Sequence, residues 1–296
     1  MPTKDSKSAL SQLELLLDES LEDSKVSELE KLANEAVDKA RDHEQGGEFS
    51  KVDLARALEL RGIYYCRTGQ YDNAKTDYVE ALGLMSSATD EDEGIGRVCA
   101  GLAVVHDLDG SPDLAKSFYQ RGIAAYERIT PTPLLRVADI NNNLGFIYEA
   151  EGDFDRAETF LLGALKSYHE KAGPDDERTA TLYNNVGTLY FKSEHDERAE
   201  EMHNLALEAR IKLFSEKHVE TAQSYANLAL VLVRSGKVEA GKRHFEKALE
   251  GFETDVDSCR DDYEIVALNY QDVLASMEDK DGVAAVKARL LKHGIS

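Results

Sequence analysis

The chain has 296 residues, with 35 Lys and Arg against 57 Asp and Glu, for a formal net charge of -22. That charge repels phosphate and no Lys/Arg run offsets it, so nucleic acid and anionic membrane surfaces are excluded as partners. Apolar residues at 42 % suffice for a continuous core, 5 prolines leave helices largely uninterrupted, and 3 scattered cysteines (Cys66, Cys99, Cys259) without a CxxC pair suit a reducing compartment.

The opening residues "MPTKDSKSALSQ" carry no apolar stretch of the signal-peptide kind, and no run of about 18 apolar residues predicts a membrane span. The expectation is a cytoplasmic protein. Residues 6–45 predict a pair of amphipathic helices, one on Leu10, Leu13, Leu16 and Leu17, the other on Leu29, Leu32, Ala33, Ala36, Val37 and Ala40. The polar "RDHEQGGEF" reads as a connector, as does "TDEDE" (Thr89 to Glu93) further on.

From residue 51 five segments fall into register at a spacing of about 42 residues. "LELRGIYYCRTGQYDNAKTDYVEAL" supplies Gly62, Tyr65, Gly69, Ala74 and Ala81. "CAGLAVVHDLDGSPDLAKSFYQRGI" supplies Ala103, His106, Gly110, Ala115 and Gly122. "NNNLGFIYEAEGDFDRAETFLLGAL" follows with Gly145, Tyr148, Gly152, Ala157 and Ala164, then "YNNVGTLYFKSEHDERAEEMHNLAL" with Gly187, Tyr190, Ala199 and Ala206. "YANLALVLVRSGKVEAGKRHFEKAL" closes the series with Ala229, Leu232, Gly236, Gly241 and Ala248. Residues 260–293 hold "YEIVALNYQDVLASM" and "GVAAVKARLLKHG", a last helix pair in which Asn269 keeps the register. A fixed period of this length predicts an all-α solenoid over 1–296, regular across 51–256 and degenerate in its capping pairs at 6–45 and 260–293.

Each copy divides into two helical patterns around a short turn. Small residues such as Gly145, Ala157 and Ala164 let the two helices approach closely, and packing then offsets their poor helix propensity. "GPDDERTA" (Gly173 to Ala180) predicts a helix end at Gly173 and a new helix with Pro174 in its first turn; "GSPDLA" (Gly110 to Ala115) has the same form.

The spacing of Gly, Tyr, Ala and Ala resembles the tetratricopeptide repeat, a helix-turn-helix unit of about 34 residues. The longer unit here, with inter-repeat segments "GPDDERTATLYNNVG" and "SEKHVETAQSYANLA", is similar to the kinesin-light-chain subclass. The resemblance implies a right-handed superhelix whose first helices line a concave surface on which peptide partners are held.

Asn143, Asn185, Asn227 and Asn269 recur at the repeat spacing, on the side of the first helix turned away from the second. An amide offers donor and acceptor together, matching the N–H and C=O of an extended peptide. The resemblance implies that these four hold a ligand backbone. Two other roles are open to a residue there: a hydrogen bond to the adjacent repeat, or plain exposure. The same stripe carries Asn142 and Phe146 in the third copy, Asn184, Thr188, Phe191 and Lys192 in the fourth, and Leu230 and Arg234 in the fifth. With two cations and no acid over the fourth and fifth copies, the stripe favours a neutral to mildly acidic peptide, Lys192 and Arg234 meeting its acids.

Catalytic motifs are missing. No GxGxxG or GxxxxGK[ST] phosphate loop occurs, and "HEKAG" puts Gly173 where a zinc-protease helix needs its second His. His195, Glu200 and His203 lie at helical spacing, yet His203 falls on a core position. The reading is a non-enzymatic protein–protein interaction module without cofactor or metal. Two rivals are a self-associating structural protein and a peptide-responsive signalling regulator, the latter weakened because only about 45 N-terminal residues remain for an output domain.

Overall fold

The computed structural model describes residues 23–46, 51–86 and 91–295; the expected helix on Leu10 to Leu17 and parts of both connectors lie outside them. The described residues form thirteen helices and no strand. These are α1 (Asp23–Gly46), α2 (Lys51–Arg67), α3 (Tyr71–Ser86), α4 (Asp92–Leu108), α5 (Pro112–Glu127), α6 (Leu134–Ala150) and α7 (Phe154–Lys171). There follow α8 (Glu177–Lys192), α9 (Asp196–Phe214), α10 (Val219–Arg234), α11 (Val238–Phe252), α12 (Arg260–Ser276) and α13 (Lys280–Lys292). The chain forms two compact units, Met1–Ile140 and Asn141–Ser296.

In the first unit, Leu29, Ala33 and Val37 of α1 share a core with Leu54 and Leu58 of α2, Tyr78 and Leu82 of α3, and Val98 and Leu102 of α4. The Tyr78 ring shows how a helix pair is joined to the next. A Cβ on Gly62 would stand 2.8 Å from this ring, and one on Gly101 2.7 Å from it. The ring is therefore clamped between the first helix of its own repeat and the first helix of the following one. Burial pushes its phenol far above the usual range.

The second unit repeats the arrangement with other side chains. A Cβ on Gly145 would meet Leu161 at 2.6 Å, and one on Gly187 would meet the His203 ring at 2.8 Å. Leu207 of α9 lies in one core with Ala222 and Tyr225 of α10, Phe245 and Leu249 of α11, and Tyr263 and Ala267 of α12. Burying each such aliphatic side chain is worth about 1.5–3 kcal/mol.

The turns follow the period too. Gly69, Gly110, Gly152 and Gly236 adopt left-handed φ values of 73, 76, 77 and 78°. The same place is filled by Glu194 (φ 65°) and Glu278 (φ 60°), which bear the Cβ strain that glycine avoids. One expected helix start moves. Asp176 accepts from the Arg178 and Thr179 N–H groups at 3.0 and 3.3 Å, so α8 begins at Glu177 and Pro174 stays in the preceding turn. The carboxylate satisfies the free N–H groups of the first turn, a role Pro174 cannot fill.

Candidate interaction face

The second unit presents α6 from Asn141 onwards, then the first helices α8, α10 and α12 in succession. Asn185 Nδ2 on α8 donates to Asn142 Oδ1 on α6 at 3.0 Å. Asn227 Nδ2 on α10 donates to Asn184 Oδ1 on α8 at 2.8 Å. The amides thus run from repeat to repeat in one sense, each later asparagine giving a proton to the earlier. Asn184 Oδ1 takes a second hydrogen bond, from the His203 Nδ1–H on α9 at 3.0 Å. His203 is buried against Gly187, and burial followed by the Arg210 charge pushes its pKa down to about 4. The imidazole is therefore neutral at pH 7, with Nδ1 carrying the proton.

A second row of links runs along the ends of the same helices. Lys192 on α8 forms an ion pair with Glu149 on α6. Arg234 on α10 pairs with Asp196, donates to the Phe191 carbonyl at 2.6 Å, and lies over the Phe191 ring at 3.5 Å from its centroid. Four of these links span 43 residues, one more than the repeat: Asn142 to Asn185, Asn184 to Asn227, Glu149 to Lys192 and Phe191 to Arg234.

The remaining expected site residues fall on these helices. Asn143 and Asn269 are half-buried and have no hydrogen-bond partner among the described residues. Phe146 is 40 % exposed, while Thr188 and Leu230 are half-buried. The amides of Asn185 and Asn227 each commit one N–H to the neighbouring repeat and keep a second N–H and the carbonyl. Lys192 and Arg234 are already matched to carboxylates of the chain itself.

Sequence reasoning missed the acceptor role of Asn142 and Asn184 and the buried imidazole beside them. Residue pairs of matching chemistry 43 apart were the available signal. It also missed the counterpart in the first unit, where Arg97 of α4 donates to the buried Glu59 of α2 at 2.8 and 3.3 Å and Arg56 adds an ion pair at 2.6 Å. Nearby, Arg61 grips the buried Asp77 at 2.7 and 2.8 Å and reaches Asn34 at 3.2 Å.

Among the described residues no group of three His, Cys, Asp or Glu is arranged to hold a metal ion. His195 sits exposed with Nδ1 3.2 Å from the Ser193 hydroxyl, while His203 lies in the core. No described helix is long and apolar enough to cross a membrane.

Comparison with known proteins bears on the fold. Among curated protein sequences, none matches this chain. The structure of BtubC (BKLC) from P. vanneervenii is similar at TM-score 0.69 and 24 % identity, over 77 % of this chain and 91 % of that one. A Rap protein complexed with Competence and Sporulation Factor is similar at TM-score 0.58 and 13 % identity, over 89 % and 79 % of the two chains. The nearly identical TPR-like repeats assigned to a kinesin light chain of Podosopora anserina also reach TM-score 0.58, with 13 % identity over 69 % of this chain and 96 % of that one. At such identities the likeness is one of fold. The sequence profile of the tetratricopeptide repeat matches residues 53–128, 136–212 and 197–254. The chain belongs to the tetratricopeptide-repeat family.

Proposed function

We propose that the protein is a non-enzymatic interaction module, and that the first helices of the second unit receive an extended peptide segment of a partner. The observation that carries this reading is the amide ladder. Asn185 and Asn227 are held by one N–H each, so their remaining N–H and carbonyl groups are pre-oriented before a ligand arrives. Asn143, with no internal bond among the described residues, adds a complete amide to the row. Such a row matches a peptide backbone without dictating its side chains, and fixing the amides beforehand lowers the entropy cost of binding. Phe146 and Leu230 offer apolar contact beside it. Lys192 and Arg234 carry charges that Glu149 and Asp196 neutralise, which favours an uncharged segment over an acidic one. The Rap protein solved with its factor supports the general reading, because a relative in fold is there complexed with a partner molecule.

The test is a displayed-peptide selection on the full chain, repeated on Asn143→Ala. That substitution breaks no hydrogen bond among the described residues, so the melting temperature should stay constant while recovered peptides weaken about tenfold, the worth of roughly one hydrogen bond. Peptides bound equally well by both proteins would remove the ladder from the binding site.

A further inference from the structure

Successive first helices of the second unit are joined twice over. Between α6 and α8 the joints are Asn142 to Asn185 and Glu149 to Lys192. Between α8 and α10 they are Asn184 to Asn227 and Phe191 to Arg234. Along each helix the two joints stand seven residues apart, a rise of about 10 Å. They frame one cell on either side of α8. Midway between the joints stand Phe146 on α6, Thr188 on α8 and Leu230 on α10, a row at the repeat spacing.

The middle of this row is low. Phe146, 40 % exposed, and the half-buried Leu230 flank the shorter Thr188. The paired joints hold the three helices in register, so the difference in side-chain length leaves a notch over Thr188. Its hydroxyl can turn to the helix carbonyl four residues back, so covering Thr188 need strand no polar group. Beyond Leu230 the row ends at the exposed Asp272 of α12.

The borders of the notch decide what enters it. On one side lie the amides of Asn184 and Asn185, with Thr188 three residues, about 4.5 Å, beyond Asn185. One large side chain spans that step from a backbone held on the amides. On the other side both cations are already matched, Lys192 by Glu149 and Arg234 by Asp196, and Arg234 also lies over the Phe191 ring at 3.5 Å from its centroid. Glu149 itself is buried. The other charged residues of α8 and α10, Glu177, Arg178 and Glu220, stand in first turns, ten or more residues from the row, and α6 has no other after Asn141. A charged side chain in the notch would lose water and find no free counter-ion. An apolar one would gain the burial of its surface between Phe146 and Leu230. Given a peptide on this face, the reading proposed above, we infer that the Thr188 notch selects it by taking one large apolar side chain.

The experiment is a selection from a displayed library of random peptides about ten residues long, enough to cross three helices. The targets are the full chain, Thr188→Leu, Thr188→Ala and Asn143→Ala. Leu and Ala have better helix propensity than Thr, so both Thr188 variants should melt no lower than the full chain. Peptides recovered on the full chain should share one Leu, Ile, Met or Phe, whose replacement by Ala weakens binding about tenfold or more. Thr188→Leu fills the notch and should exchange that residue for Gly, Ala or Ser. Thr188→Ala deepens it and should favour Phe or Trp there. Asn143→Ala should weaken every peptide and leave the shared residue unchanged. Peptides that share no such residue, share a charged one, or keep a large apolar residue on Thr188→Leu would overturn the notch. If those peptides still weaken with Asn143→Ala, the ladder stands without it. A shared apolar residue that responds to Thr188→Leu, in peptides indifferent to Asn143→Ala, would keep the notch and remove the ladder. Recovery of no peptide would overturn both.

Discussion

At one equivalent place, Glu59 in the first unit and Asn142 in the second, the two units link successive first helices by different chemistry. In the first unit the link is ionic: Arg97 reaches back to Glu59, a carboxylate already held by Arg56 and almost wholly buried. In the second unit the corresponding links are neutral amides, Asn185 to Asn142 and Asn227 to Asn184. A buried carboxylate needs its cations, and those cations have little left to offer a ligand. An amide satisfied through one N–H still presents a donor and an acceptor. One architecture is therefore closed by charge at one place and left able to bind at another.

The largest effect should come from breaking the ionic link. Glu59→Ala leaves Arg56 and Arg97 without their shared carboxylate and should cost about 3 kcal/mol, read as lost hydrogen-exchange protection in α2 and α4. A second effect isolates the imidazole behind the amides. His203 titrates at about 4 in the folded chain, below its ordinary 6.5. Between these values the unfolded chain binds a proton that the folded chain does not. The stabilisation is complete above pH 6.5 and declines as pH falls towards 4, by about 3 kcal/mol in all. His203→Phe, which takes the residue type of Phe245 at the equivalent place, should flatten that part of the stability–pH curve.

Asn184→Ala should cost about 2 kcal/mol, since it strands both the His203 N–H and the Asn227 amide. A double-mutant cycle with Asn227→Ala should return a coupling of about 1 kcal/mol if the amide link is energetic rather than incidental. Smallest, and opposite in sign, is Glu194→Gly. It relieves a left-handed turn residue where four other repeats have glycine, and should raise stability by up to about 1 kcal/mol in thermal or denaturant unfolding.

These contrasts show what the sequence could disclose. The helix pairs were legible because Gly62, Gly145 and Gly187 are small where a large side chain must enter, and their spacing keeps to the 42-residue period within one residue. The recurrence of Asn143, Asn185, Asn227 and Asn269 was legible as well, because they return at one fixed spacing. What a wheel cannot fix is the neighbour. Whether an amide faces solvent or the next repeat depends on how two helices are offset, so the bonds to Asn142 and Asn184 emerged only in three dimensions. Glu59 escaped for a related reason. A lone carboxylate reads as a solvated residue until the fold carries Arg97 back onto it from the following repeat. Lys192 and Arg234 were read as cations awaiting a ligand, whereas the fold supplies Glu149 and Asp196.

The central claim is that the amides of the second unit bind as well as join. Its most direct test is the side-chain amide spectrum of the isotopically labelled protein, assigned through single Asn→Ala variants and titrated with a peptide from the displayed-peptide selection. The account predicts dispersed, slowly exchanging Asn185 and Asn227 signals before peptide is added, a solvent-averaged Asn143 signal, and shifts of all three as peptide saturates. Saturation that leaves all three signals unmoved would contradict it, and the ladder would then be a device for joining repeats alone.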